Sequence, residues 1–214
     1  EDSRHLVAVH ELGHAVVYTL LFNTVPAQIC TDSITSYSNG FILRHMMVEN
    51  RENLLKKLIV GMAGRAAEEM VFGETFASIG AQKDIETATD IAWKYVGHYG
   101  FGGFYGHVTS RSNDNDCEIF DREKVSQTVE ALLKEAKEQA KSLLHTNLKF
   151  YQTSLGVLME KGKISPKEFE AIAVGFGISV KEIKSGERLL LDYKNITKKF
   201  LNTKKFLKPS KHNA

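Results

Sequence analysis

The sequence predicts a mainly α fold with a small β-sheet or hairpin, in which a helical core is followed by an antiparallel helical bundle. Three observations carry that expectation. Apolar residues recur at helical spacing through six separate stretches of the chain. Only one region, between Pro26 and Met47, is rich in strand formers. Glycine, proline and capping residues punctuate the chain where the helical periodicity stops. With 214 residues, 43% of them apolar and 25% charged, the chain can bury one substantial core or two small ones and has an ordinary globular composition.

The first helix opens at Ser3, its expected N-cap, and Leu6, His10, Gly13, His14, Val17 and Leu21 fall on one stripe. Ala15 to Phe22 is the longest apolar run, and it is shorter than the roughly 20 residues that a bilayer demands. Pro26 ends regular structure. Ile29–Tyr37 and Phe41–Met47 then flank Asn39-Gly40, a dipeptide suited to a tight type I′ turn, and read as a β-hairpin. Helical periodicity returns from Asn50 to Phe72, with Leu54, Leu55, Leu58, Ile59, Met62 and Ala66 on one side and Gly73 closing it at C′. Gly61 and Gly64 are unfavourable inside that helix, which implies close approach of a neighbour, expected to be the helix that carries Gly13. A third helix covers Gln82 to Tyr99, with Ile85, Ala88, Ala92, Tyr95 and Val96 inward.

Irregular structure is expected in the glycine- and aromatic-rich segment Gly100 to Gly106 and in the polar stretch Ser110 to Asp116. Beyond it a long helix runs from Asp121, as N-cap, to His145, with Val125, Val129, Leu132, Ala136, Ala140 and Leu143 as its stripe. Another spans Leu148 to Lys161. A further helix begins at Ser165-Pro166-Lys167-Glu168, where cap, N1 proline and N3 glutamate make a capping box. These helices are expected to pack as the bundle. From Lys194 onward lysines recur at 198, 199, 204, 205, 208 and 211 without any acid, which fits either contact with an anionic surface or partner, or a solvated tail.

The chemistry concentrates in His10-Glu11-Leu12-Gly13-His14, an H-E-x-x-H pattern. Residues i and i+4 share a helix face, so two imidazoles one turn apart can grip one metal ion while Glu11 handles a proton beside them. That is the arrangement of zinc peptidases, and it points to a metal-dependent hydrolase. A catalytic zinc requires a third protein ligand. A metzincin would place Gly at 17 and His at 20, where Val17 and Leu20 stand, so that class is excluded. Glu68, Glu69 and Asp84 are all open as the third ligand on spacing alone, although an aspartate at 84 also has a plain role in favouring its helix dipole.

Other classes recede. A formal charge of +2 does not point to nucleic acid. Cys30 and Cys117 form no C-x-x-C pattern and fit a reducing compartment. Glu1 stands where an initiator methionine would, so the chain is expected to be a processed or excised piece.

Several ordered blocks carry a family resemblance. Arg4 to Val17 around the histidine pair, Gly64-Arg65-Ala66-Ala67-Glu68-Glu69-Met70-Val71-Phe72-Gly73-Glu74, and Gly80-Ala81-Gln82-Lys83-Asp84-Ile85-Glu86-Thr87-Ala88-Thr89 resemble the peptidase domain of the FtsH family of membrane-anchored, ATP-dependent zinc metalloproteases. The similarity extends over about residues 3 to 175. It implies Zn2+ held by His10, His14 and Asp84, Glu11 as general base, and structural roles for Glu68 and Glu69. It also implies a strand around Gly40-Phe41-Ile42-Leu43 that pairs with extended substrate, the degradation of unfolded or membrane-derived proteins, and a hexameric assembly with an ATPase module. The implied organisation is a peptidase domain over 1–176, with its zinc-binding part over about 1–110 and a helical part over about 120–176, followed by a basic extension over 177–214. The full-length protein would be membrane-anchored with its peptidase in the cytoplasm or an organelle's interior, and this fragment itself soluble. His45, His98 and Tyr99 are candidates for a second oxyanion stabiliser. The sequence departs from the family at Leu12, usually alanine, across Asn23–Met47 and at Phe101–Tyr105, and it contains neither a G-x-x-x-x-G-K-[ST] phosphate loop nor a membrane span. A zinc-stabilised, non-catalytic oligomerisation module is the rival reading.

Overall fold

The computed structural model describes residues 2–31, 41–42, 46–47, 49–103, 122–181, 188–189 and 193–202. The architecture is mainly α with a small sheet, as the periodicity predicts. Helix α1 (Asp2–Phe22) is central, α2 (Arg51–Phe72) packs along it, and α3 (Gln82–Gly97) packs on α2. Helix α4 (Arg122–Thr146) lies across α2 and α3, while α5 (Leu148–Lys161) covers α1. The C-terminal helices thereby join the core of the motif helix and close over it. Helix α6 (Pro166–Gly175) follows, and α7 (Tyr193–Asn202) ends the described chain.

Helix α1 is buried nearly all round: Leu12, Ala15, Val16, Val17 and Tyr18 are fully enclosed. By length and composition Ser3–Phe22 is apolar enough to cross a membrane, a property the shorter Ala15–Phe22 run conceals. Two-thirds of it is nevertheless buried inside the protein, which is how the central helix of a helical core reads. The helix is already under way at Asp2, so Ser3 sits within its first turn rather than capping it. It stops at Asn23, whose φ of 52° takes the chain out of the right-handed region.

Close approach of α1 and α2 follows from two glycines. A Cβ on Gly13 would stand 2.6 Å from the Ala63 carbonyl oxygen and from the Ala67 Cβ, so only glycine lets the backbones meet there. Gly64 performs the reciprocal service from α2, under the imidazoles of α1. Gly61 departs from expectation: its Cβ would meet only Ala88 of α3, at an ordinary 3.5 Å.

The small sheet has strand order β2-β1-β4, formed by β1 (Gln28–Cys30), β2 (Phe41–Ile42) and β4 (Lys163–Ile164). Strand β1 pairs antiparallel with both neighbours, Ile29 opposing Phe41 on one side and Ile164 on the other. The Asn39-Gly40 turn lies outside the described residues. The downstream hairpin arm divides: β3 (Met46–Met47) pairs parallel with β5 (Arg188–Leu189), a partner too distant in sequence for local alternation to disclose. Side chains cap the N-termini of α2 and α6. Asn50 accepts from the Asn53 amide at 2.8 Å, and Ser165 accepts from the Glu168 amide ahead of Pro166. Asp121 lies outside the described residues. In α3, Ala88, Ala92, Tyr95 and Val96 face inward, but Ile85 is 38% exposed because Asp84 occupies the inward stripe one residue earlier.

Candidate metal centre

One turn of α1 presents His10 and His14 on the face towards α2, where they are 8% and 6% exposed. A Cβ on Gly64 would lie 2.5 Å from His10 Nε2 and 2.6 Å from His14 Nε2, so the space occupied by the rings exists because residue 64 lacks a side chain. The third group arrives from further along the chain. After Gly73, at φ 82°, two single 3-10 turns over Glu74–Phe76 and Ile79–Ala81 lead into α3, whose first turn carries Asp84.

Three donor atoms converge. Asp84 Oδ2 lies 3.0 Å from His10 Nε2 and 3.4 Å from His14 Nε2, and the two Nε2 atoms are 3.1 Å apart. Ligands about 2.0–2.1 Å from a tetrahedral zinc ion are separated by about 3.3 Å. The donor set therefore has the chemistry and the spacing for such an ion. Glu68 and Glu69 stand outside this trio.

The opposite edges of both rings determine where their lone pairs point. His14 Nδ1 lies 2.7 Å from the Val60 carbonyl oxygen, which only accepts, so Nδ1 carries the proton and Nε2 is the acceptor. His10 Nδ1 donates to Glu68 Oε1 at 2.6 Å. In the neutral form that a metal requires, both rings thus aim an Nε2 lone pair at the carboxylate of Asp84. Three acceptors at this separation repel one another unless a metal ion or a proton lies among them.

The charges reflect that need. Burial opposes the imidazolium of His10, yet hydrogen bonds to Asp84 and Glu68 outweigh it and raise the group to about 9. Burial likewise opposes the carboxylate of Asp84, but His10 and His14 outweigh it and hold the carboxyl well below its usual range. Glu68 is fully buried, and both oxygens are engaged: Oε1 by His10 and Oε2 by the Ser78 amide at 2.6 Å. Those bonds overcome the burial penalty and keep it ionised. One carboxylate thereby fixes the tautomer of His10 and fastens the connection that delivers Asp84.

Sequence reasoning placed Glu68 on the packing helix without this contact. Its signal was the i, i+4 relation to Gly64, which puts both residues on the α2 face that meets the histidines. Glu69 turns the other way, to Lys137 and Lys141 of α4 at 2.7 and 3.3 Å. Glu11 is half-buried beside His10, and its charge adds to the rise at that imidazole. His98 and Tyr99 are not near the trio. They follow the C-terminal end of α3, about 20 Å along the helix axis from Asp84. His45 lies outside the described residues.

Comparison with known proteins adds an independent line. Residues 1–172 match the model of peptidase family M41. The ATP-dependent zinc metalloprotease FtsH 1 of a Thermoanaerobacter species is 31% identical over 193 residues, 82% of this chain and 31% of its own. FtsH 3 of Petrotoga mobilis, also an ATP-dependent zinc metalloprotease, is 32% identical over 188 residues, 78% of this chain and 28% of its own. The mouse ATP-dependent zinc metalloprotease YME1L1 is 27% identical over 187 residues, 84% of this chain and 26% of its own. The chain thus spans less than a third of the length of these relatives.

Proposed function

The chain belongs to peptidase family M41, and from that premise we propose that it is a zinc-dependent endopeptidase with His10, His14 and Asp84 as metal ligands and Glu11 as general base. The observation that carries the ligand assignment is the convergence of two Nε2 atoms and one carboxylate oxygen at 3.0–3.4 Å. Zinc in such a donor set supplies Lewis acidity towards a water molecule and a scissile carbonyl.

The protein's own groups do the rest. Val60 and Glu68 hold the rings in the tautomer that leaves Nε2 unprotonated. Asp84 adds negative charge and offsets that of the cation. Glu11 accepts a proton from the attacking water and returns it to the leaving amine. Strand β2 ends the sheet order β2-β1-β4 among the described residues, which supports its use as the edge where an extended substrate adds by backbone pairing. Pairing of that kind is indifferent to most side chains and suits unfolded or membrane-derived polypeptides.

On this reading residues 1–176 form the peptidase domain, about 1–110 carrying the zinc and about 120–176 bracing it, with 177–214 as a basic extension; the family match over 1–172 supports that division. The relatives' names join zinc proteolysis to ATP, so the complete protein would add an ATPase module. It would work as a homo-oligomer, hexameric by resemblance, and be membrane-anchored.

A casein-cleavage assay tests the chemistry. Cleavage should cease with a chelator, return with zinc, and fall about 10²–10⁴-fold in Glu11→Gln while zinc content stays unchanged. Cleavage that survives either treatment refutes the mechanism. Stoichiometric zinc without any cleavage establishes the rival, a zinc-stabilised interaction module.

A further inference from the structure

Helix α7, Tyr193–Asn202, is the most sharply amphipathic helix among those described. At 100° per residue, Ile196, Phe200, Tyr193, Thr197 and Leu201 fill one wedge of about 140°, and Lys194, Lys198, Asn202, Asn195 and Lys199 fill the remainder. The apolar wedge is open to solvent: Tyr193 is 45% exposed, Ile196 57%, Phe200 60% and Leu201 73%. One exposed apolar side chain would be ordinary. Four on one stripe of a ten-residue helix form a patch that signals a binding surface.

Charge identifies what the surface fits. Seven lysines stand between positions 194 and 211, and no aspartate or glutamate follows Asp192. Lys198-Lys199-Phe200-Leu201 is repeated as Lys204-Lys205-Phe206-Leu207, so each pair of cations adjoins a pair of large apolar residues. A nucleic acid would use the lysines and leave Ile196 and Leu201 in water. A bilayer with anionic headgroups uses both sets at once, taking the apolar wedge into the acyl boundary and the ammonium groups at the phosphates. The helix is also presented rather than dangling. Asn50, the cap of α2, donates through Nδ2 to the Tyr193 hydroxyl at 2.9 Å, and β5 pairs with β3 just upstream.

We propose that α7 is an in-plane anchor that docks this peptidase on an anionic lipid surface. This inference is independent of the metal assignment. It is tested by co-sedimentation of the full chain with vesicles of phosphatidylcholine alone and of phosphatidylcholine mixed with phosphatidylserine. The chain should partition onto the mixed vesicles only, and high salt should release it. Lys198→Gln with Lys199→Gln should weaken partitioning roughly thirtyfold, from about 1 kcal/mol per lysine near the surface. Ile196→Asn with Leu201→Asn should weaken it at least about tenfold, because buried apolar area is lost.

All four positions are exposed, so circular dichroism and zinc content should not change in these variants. Failure to partition onto the mixed vesicles overturns the proposal. So does partitioning that Ile196→Asn with Leu201→Asn leaves intact, which would mark a site for any polyanion. Self-association that depends on α7, in place of vesicle binding, would assign the wedge to a second copy and equally overturn it.

Discussion

At the scale of single residues, the metal-site assignment makes a ranked prediction. Asp84→Asn removes a charged ligand, whereas Glu68→Gln removes only the group that holds His10 from behind. Zinc affinity, measured by competition with a chromophoric chelator, should therefore fall further in Asp84→Asn. Glu68→Gln should cost about 10–100-fold. A larger loss in Glu68→Gln would reverse the assignment. Gly64→Ala should also cost zinc affinity, since its Cβ would stand 2.5 Å from the His10 ring and displace both imidazoles. The histidine pair and Glu11 were legible in five consecutive letters because an α-helix converts i, i+4 into one face. The third donor of the trio was not legible by spacing, because two 3-10 turns and a positive-φ glycine separate Asp84 from α2. Glu68 was seen as packing, because a carboxylate that binds the far edge of an imidazole leaves no spacing signature of its own.

At the scale of elements, the glycines of α1 and α2 should behave differently. Gly61→Ala should stabilise the protein by about 0.5–1 kcal/mol, because the new Cβ makes an ordinary contact and the helix gains propensity. Gly13→Ala should lower the melting temperature, since α1 and α2 must separate to admit it. Equal effects in thermal melts would contradict the packing described.

The α2–α4 contact predicts a pH dependence. Burial works against ionised Glu69, but Lys137 and Lys141 outweigh it and lower its pKa. A carboxyl lowered in the folded state contributes stability above its unfolded value of about 4.3 and loses it as pH falls further. The stability gap between the native chain and Glu69→Gln should be full at neutral pH and narrow below that value in denaturant titrations. A gap that widens towards acid would show the pairing to be unfavourable. Helices α2 and α5 were legible nearly to the residue, and so was the start of α6, where cap and N1 proline agree. Ile85 departs from the expected inward stripe because Asp84, half-buried beside the histidines, takes the inward position one residue earlier.

At the scale of the whole molecule, the two halves of the chain share one core. Tyr151 of α5 donates to the Val9 carbonyl at 2.9 Å, one residue before His10, and Arg4 of α1 reaches the Met159 carbonyl of α5 at 3.0 Å. A chain truncated after residue 103 should therefore lose cooperative thermal unfolding as well as zinc binding. If that fragment melted as a single sharp transition, the motif core would be self-sufficient. The mainly α class was visible from composition and period. Strands β4 and β5 were not, because two-residue strands whose partners lie more than a hundred residues away leave no local alternation. Helix α7 was equally hidden, although the positions of its apolar residues repeat at helical spacing.

The carboxylate shared between the His10 ring and the Ser78 amide makes that backbone N–H a remote witness to events at the imidazole. Deuterium uptake at Ser78 should slow when zinc is supplied and quicken when it is withdrawn. Occupancy could then be followed by mass spectrometry in samples where no substrate is ever cut.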